Sequence, residues 1–439
     1  MFYWLLGSIP FVVLFSLAYY KQNLLLYCNY MPRGQARILE YLPSIFNLPF
    51  EDIFLDTLDG QAKIHCWFLR YVQPNSGGID AAFLQKKSND KHDEDEDGIF
   101  SFHQNQTVGI SNHAEEHGKK KQKKSNVAMM QYKKQLQYTP TIIMFHGNAG
   151  NISHRLTNAR DMYHTLKCNI LMVEYRGYGK STGEPSEEGL KNDAETAIRY
   201  LLEKRSDINP NNIFIFGRSL GGAVSIYLAS KYANAIRGVI VENTFMSIPK
   251  LIPAIFPYRF ISPILQFFSV NKWDNEATLR NAQFRNDYHR KRLNGDLPFL
   301  FISGRKDELI PATHMDTLIE IYCERFGEYC YVKRFDEGTH YGTWLCPGYY
   351  VNLYKFVKKF RVNPPVEPTK TRKHSVAKTH SLPQTELQMS DDVIDNITIT
   401  FADPQSLSDY SGSAPNSGSN SNSNSGDNTP RKKGTYLFR

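Results

Sequence analysis

One pattern restricts the fold of this chain more than any other: an alternation running from residue 141 to residue 360. Short runs, most of them almost wholly apolar (141–145, 169–174, 213–216, 238–241 and 298–303, with the more polar 331–335 last), are separated by longer stretches with helical spacing. Ser186 is expected to open one helix. Glu187 and Glu188 fall in its first turn, where the helix dipole favours carboxylates. Leu190, Ala194, Ala197, Leu201 and Leu202 then recur along one face. Further helices are expected through Tyr227, around Leu318 and around Phe356. A strand with no polar alternation needs cover on both faces, and intervening helices supply it to a parallel sheet. The class is therefore α/β, with a mostly parallel central sheet and helices on both faces. Residues 52–70 read as two short strands around the turn Asp59-Gly60. Residues 245–292 interrupt the alternation, are rich in Pro, Phe and Ile, and are expected to form a cap over the sheet edge.

The flanks differ in kind. Residues 1–20 carry no charged side chain, and about 20 such residues in a helix span a bilayer core. Trp4, Tyr19 and Tyr20 lie near the ends, where aromatic belts form, and Pro10 is tolerated by membrane helices. A cleaved signal peptide would carry a basic start and a small-residue cleavage site; this run ends in Tyr19, Tyr20 and Lys21. An uncleaved transmembrane anchor over 1–20 is the expectation, which makes the lipid bilayer a partner. Lys21, Arg33 and Arg37 follow the span, and the positive-inside rule alone would put the domain in the cytosol. Residues 21–362 are read as the folded domain. Within it, 74–134 has an acidic run, a basic run and few apolar anchors, and is expected to be a disordered insertion. The 363–439 tail is expected to be disordered and of low complexity, most plainly over 411–425. The net charge of +8 owes much to Lys119, Lys120, Lys121, Lys123 and Lys124, and no nucleic-acid motif accompanies it, so no nucleic-acid partner is expected. Six cysteines form no CxxC pair, so neither a metal site nor a cofactor is expected. A bridge among Cys323, Cys330 and Cys346 is left open.

The chemistry points to one segment. Gly217-Arg218-Ser219-Leu220-Gly221 is a G-x-S-x-G motif entered by an apolar strand and left by a helix, as a nucleophile elbow requires. A serine needs a base, and the base needs an orienting acid, in the chain order Ser, Asp or Glu, His. Asp307 follows the 298–303 run and His340 follows the 331–335 run. Both then lie beyond strand carboxyl ends, where open α/β sheets build their sites. Glu242, at another strand end, is the second candidate acid. An acyl-transfer site also needs donors for its oxyanion. The amide of Leu220 is one, and the backbone of Asn148, in His146-Gly147-Asn148-Ala149-Gly150, is the other.

Two motifs point elsewhere. Gly177-Tyr178-Gly179-Lys180-Ser181 ends like a phosphate-binding loop, but its leading glycine is missing where Glu174 and Tyr175 stand. It is read as the loop after a central strand. Asn105, Asn151 and Asn396 begin glycosylation sequons, and Asn151 is a poor acceptor beside the oxyanion loop.

Residues 145–156, 175–190, 216–230, 241–249, 301–311 and 338–344 together resemble the α/β-hydrolase domain-containing proteins, serine hydrolases of the α/β-hydrolase superfamily. The resemblance covers about 25–361 without the insertion. It implies the α/β-hydrolase fold and a triad of Ser219, Asp307 and His340. It also implies a type II signal anchor with the domain lumenal or extracellular, against the charge reading above. The insertion and the Ser/Asn-rich tail depart from the family without touching its motifs. The expected activity is hydrolysis of an ester or thioester through an acyl-enzyme, with a lipid or acylated protein as substrate. The alternatives are a peptidase and a catalytically silent membrane-tethered scaffold.

Overall fold

The computed structural model describes residues 22–31, 36–72, 136–255, 262–286 and 295–363. The expected anchor, the 74–134 insertion and nearly all of the 363–439 tail lie outside these residues. Among the described residues no helix is long and apolar enough to cross a membrane.

In chain order the elements are α1 (Gln22–Leu26), β1 (Phe50–Asp56), β2 (Lys63–Leu69), β3 (Thr141–Phe145), α2 (Leu156–Leu166), β4 (Asn169–Val173), α3 (Glu187–Lys204), β5 (Ile213–Arg218), α4 (Leu220–Tyr232), β6 (Gly238–Glu242), α5 (Ile248–Ile255), α6 (Ser262–Phe268), α7 (Asn275–Asn281), β7 (Phe299–Gly304), α8 (Ala312–Phe326), β8 (Cys330–Phe335) and α9 (Tyr349–Phe360). The eight strands form one sheet in the order β1-β2-β4-β3-β5-β6-β7-β8. β2 runs antiparallel to β1 and β4, and all other pairs are parallel. The expected α/β-hydrolase fold with a mostly parallel sheet is what the chain adopts.

The strand composition explains the layering. In β3, Ile143 and Phe145 face one core, while Ile142 and Met144 face another. β4 divides in the same way, Leu171 and Val173 against Ile170 and Met172. Each face must therefore be covered, since burying one such side chain contributes about 1.5–3 kcal/mol. α3, α4 and α8 cover the first face, and α2 and α9 cover the second. α3 starts as its sequence predicts: the Ser186 side chain accepts from the Gly189 amide, and Glu187 and Glu188 lie in the first turn.

Among the described residues of 245–292, α5 and α6 line the cavity over the site, while α7 packs against α4 and α8 as part of the sheet's helical cover. Buried Asn275 and Leu279 hold α7 there, a use that a Pro/Phe/Ile-rich composition does not reveal. The cysteine question resolves into one bond, between Cys323 on α8 and Cys330 at the start of β8. Cys346 is free. Asn151 is fully buried, and its side-chain amide donates to Ala36 O and Ile38 O.

Candidate active site

The turn between β5 and α4 carries Ser219 with φ 56° and ψ −120°, a strained conformation for a residue with a side chain. Neighbours hold it there. The Ser219 amide donates to Glu242 O at 2.9 Å, and Thr244 Oγ1 donates to Ser219 O at 2.8 Å. The turn closes only because its glycines lack side chains. A Cβ on Gly221 would sit 2.2 Å from the carbonyl oxygen of Phe145.

His340 and Asp307 meet at this turn although they come from different loops. His340 Nδ1 lies 2.8 Å from Asp307 Oδ2, and the two side chains are 5% and 2% exposed. Asp307 is held on its other oxygen by the amides of Leu309 and Ile310, at 2.9 and 2.8 Å. Glu308 accepts from the backbone amide of His340 at 3.0 Å. That leaves His340 Nε2 for Ser219, and both residues line one cavity. No hydrogen bond joins the two side chains directly; in unliganded sites such bonds commonly tighten only with substrate. Glu242, the second candidate acid, is engaged elsewhere. Its carboxylate accepts from Tyr349 Oη, and burial raises its pKa above the ordinary carboxylate range.

The Asn148 side chain is fully committed. Its amide donates to Leu26 O at 2.7 Å, and its carbonyl accepts from Cys28 N and from Tyr178 Oη. Its backbone N–H donates to no backbone carbonyl. The Leu220 N–H opens α4, where leading amides have no intrahelical acceptor. The loop carrying Asn148 is braced from the loop after β4. Tyr175 Oη donates to His146 O at 2.9 Å. Glu174 accepts from the Ile152 amide at 3.0 Å and lies 3.0 Å from His146 Nε2. The segment 177–181 that resembles a phosphate loop therefore wraps a buried carboxylate: a Cβ on Gly179 would meet Glu174 at 2.2 Å.

Several residues at the site are not evident from motifs. Asn243 joins three strand ends. Its carbonyl accepts from Gly304 N at 2.7 Å, and its amide donates to Thr339 O and Thr343 Oγ1, both at 3.1 Å. It positions the loops of Asp307 and His340 relative to Ser219. The sequence signal was slight: an amide next to Glu242 at a strand end. Arg155 and Arg218 also line the cavity. The cavity itself, about 650 Å³, is walled mainly by Leu26, Phe245, Ile248, Leu251, Ile252 and Leu265. Among the described residues no cluster of three or more His, Cys, Asp or Glu side chains could hold a metal ion.

The family description "Hydrolase_4: Serine aminopeptidase, S33" matches residues 137–297. The chain is 38% identical to protein bem46 of Schizosaccharomyces pombe over 226 residues, 52% of this chain and 70% of that protein. The chain belongs to the α/β-hydrolase family. A second relative of this hydrolase is the α/β-hydrolase domain-containing protein WAV2 of Arabidopsis thaliana, 29% identical over 77% of this chain and 88% of that one. An uncharacterised membrane protein of Saccharomyces cerevisiae is 36% identical over 50% of this hydrolase and 71% of its own length. Among solved structures, an esterase of Pyrococcus furiosus aligns with a TM-score of 0.48 at 13% identity, over 74% of this chain and 95% of that one.

Proposed function

We propose that this α/β-hydrolase is a membrane-anchored serine hydrolase that cleaves an ester or thioester through an acyl-enzyme on Ser219. The observation that carries the reading is the convergence of Ser219 and the His340–Asp307 pair on one apolar cavity. Ser219 Oγ attacks the acyl carbonyl while His340 Nε2 takes its proton. Asp307 holds Nδ1–H and fixes the imidazole tautomer. The amides of Leu220 and Asn148 stabilise the oxyanion, a donor of this kind being worth about 3–4 kcal/mol. His340 returns the proton to the departing alcohol or thiol, and water then releases the acid by the same route.

The apolar wall supports an acyl chain as the group bound. A buried methylene contributes about 0.8 kcal/mol, up to roughly fourfold in kcat/KM. Activity on p-nitrophenyl esters should therefore rise from acetyl to decanoyl. A preference for acetyl would count against an acyl-chain pocket. The family description also raises a peptidase reading. An aminopeptidase must hold a substrate ammonium, and among the described residues the cavity presents two arginines and no carboxylate.

The anchor is proposed over residues 1–20, with the domain lumenal or extracellular. Four observations support this. Gln22, two residues beyond that segment, accepts from Val270 N at 2.5 Å at the end of the cap. Ile255, Ile264, Phe267 and Val270 are exposed around it, an apolar surface suited to a lipid bilayer. The Cys323–Cys330 bond fits an oxidising compartment. The yeast relative is itself described as a membrane protein. Full-length protein from secretory-competent cells should shift on endoglycosidase treatment through Asn105 or Asn396. An unshifted protein whose domain is digested by protease from the cytosolic side would defeat this orientation.

A further inference from the structure

One wall of the cavity carries a positive charge that the hydrolytic steps leave unused. Arg218 ends β5 beside the nucleophile and is 6% exposed, yet its guanidinium makes no hydrogen bond or ion pair with a described residue. Arg155 approaches from the loop before α2. Its Nη2 donates to Ala149 O at 3.0 Å, while its buried Nε has no acceptor. Burial and the neighbouring charge of Arg218 push the Arg155 guanidinium down to about 9. The acid closest in the sheet register is Glu242, paired with Arg218 across β5 and β6. It accepts a hydrogen bond from Tyr349 and makes no ion pair with Arg218; burial pushes it toward the neutral form, and the charge of Arg218 only partly offsets that. No acidic side chain lines the cavity among the described residues.

Taking a cation out of water costs several kcal/mol unless something of opposite charge meets it. Two guanidinium groups beside an apolar chamber are a match for a planar or tetrahedral oxyanion attached to an apolar chain, since their forked N–H donors pair with carboxylate and phosphate oxygens. We propose that Arg155 and Arg218 form an anion-binding subsite next to Ser219. It selects amphiphilic esters that carry a phosphate or carboxylate close to the scissile bond over neutral esters. This deepens the acyl-hydrolase reading above and rests on Ser219 as nucleophile.

The test uses full-length protein in neutral detergent and a fluorophosphonate probe of Ser219. Octyl phosphate, 1-octanol and inorganic phosphate are each titrated as protecting ligands. Octyl phosphate should protect at a concentration at least tenfold below 1-octanol, with inorganic phosphate much weaker than either. Arg155→Gln and Arg218→Gln should each narrow the octyl phosphate to octanol ratio to within about threefold. A merely structural arginine would weaken both ligands alike and leave the ratio intact, which would overturn the proposal. Equal protection by octyl phosphate and 1-octanol on the native chain would overturn it without any variant, so misfolding of an arginine variant leaves the test decisive. Inorganic phosphate protecting as well as octyl phosphate would rule out an amphiphile as the ligand. Failure of the probe to label native protein at Ser219 would instead sink the hydrolase reading on which this one stands.

Discussion

Full-length protein with Ser219→Ala is expected to hydrolyse a decanoyl ester at least ~10⁴-fold more slowly than the native chain, because a triad acts as a unit and loses most of its effect with any one member. The expected loss is in kcat, with KM changed little, since the apolar wall proposed to bind the acyl chain is untouched. The measurement is steady-state turnover of p-nitrophenyl decanoate, with the variant's melting temperature matched to the native value. The same assay separates the two candidate acids. Asp307→Asn should lose about 10⁴-fold, as the imidazole is left in the wrong tautomer. Glu242→Gln, whose carboxyl bonds Tyr349 rather than the His340 ring, should lose far less. A Ser219→Ala protein with native turnover would remove the acyl-enzyme from this chain altogether.

The second large effect is on the fold. Gly217→Ala places a Cβ 2.0 Å from Gly221 O and 2.3 Å from Ser225 Oγ, and the first of these is backbone that cannot step aside. Over-packing of this kind costs about 3 kcal/mol, which lowers Tm by roughly 5 °C in a domain of this size. Gly147→Ala is the contrast. Its added Cβ lies 3.5 Å from Ser219 Cβ, an ordinary contact, so its Tm should stay within about 2 °C of native. Calorimetry or intrinsic fluorescence melts of the two variants side by side decide the matter. Equal melting temperatures would show that the turn relaxes around a side chain and that the glycine is not a steric necessity.

The parts of this molecule that were legible in its sequence are those where chemistry and periodicity coincide. Runs such as 141–145 and 213–216 could only be doubly covered strands, and the sheet uses them so. Ser186 announced α3 because a cap and two acidic residues precede an apolar stripe. Residues 219, 307 and 340 are picked out by chain order and by their positions after strands; the structure pairs His340 with Asp307 and sets Ser219 and His340 on one cavity. What escaped notice depends on contacts between segments remote in sequence. Asn243 is an ordinary asparagine until Gly304, Thr339 and Thr343 surround it. Arg218 occupies the variable position of its motif, and only the structure shows that it lines the cavity. Asn275–Asn281 was assigned to the cap by composition, yet its two buried residues place it under α4 and α8. Composition over a window does not say which face a helix buries.

The cavity wall near Gln22–Cys28 also sets an order of events during synthesis. Tyr27 Oη donates to Asn271 Oδ1 at 3.0 Å and accepts from Trp273 Nε1 at 3.1 Å, partners nearly 250 residues further along. At about 5–20 residues per second those partners emerge roughly 12–50 s after Tyr27 does. For that interval the first wall of the chamber waits without its second. The earliest part of the domain to be made thus waits for its partners, and because β7 and β8 follow residue 273, that second wall emerges before the last two strands of the sheet.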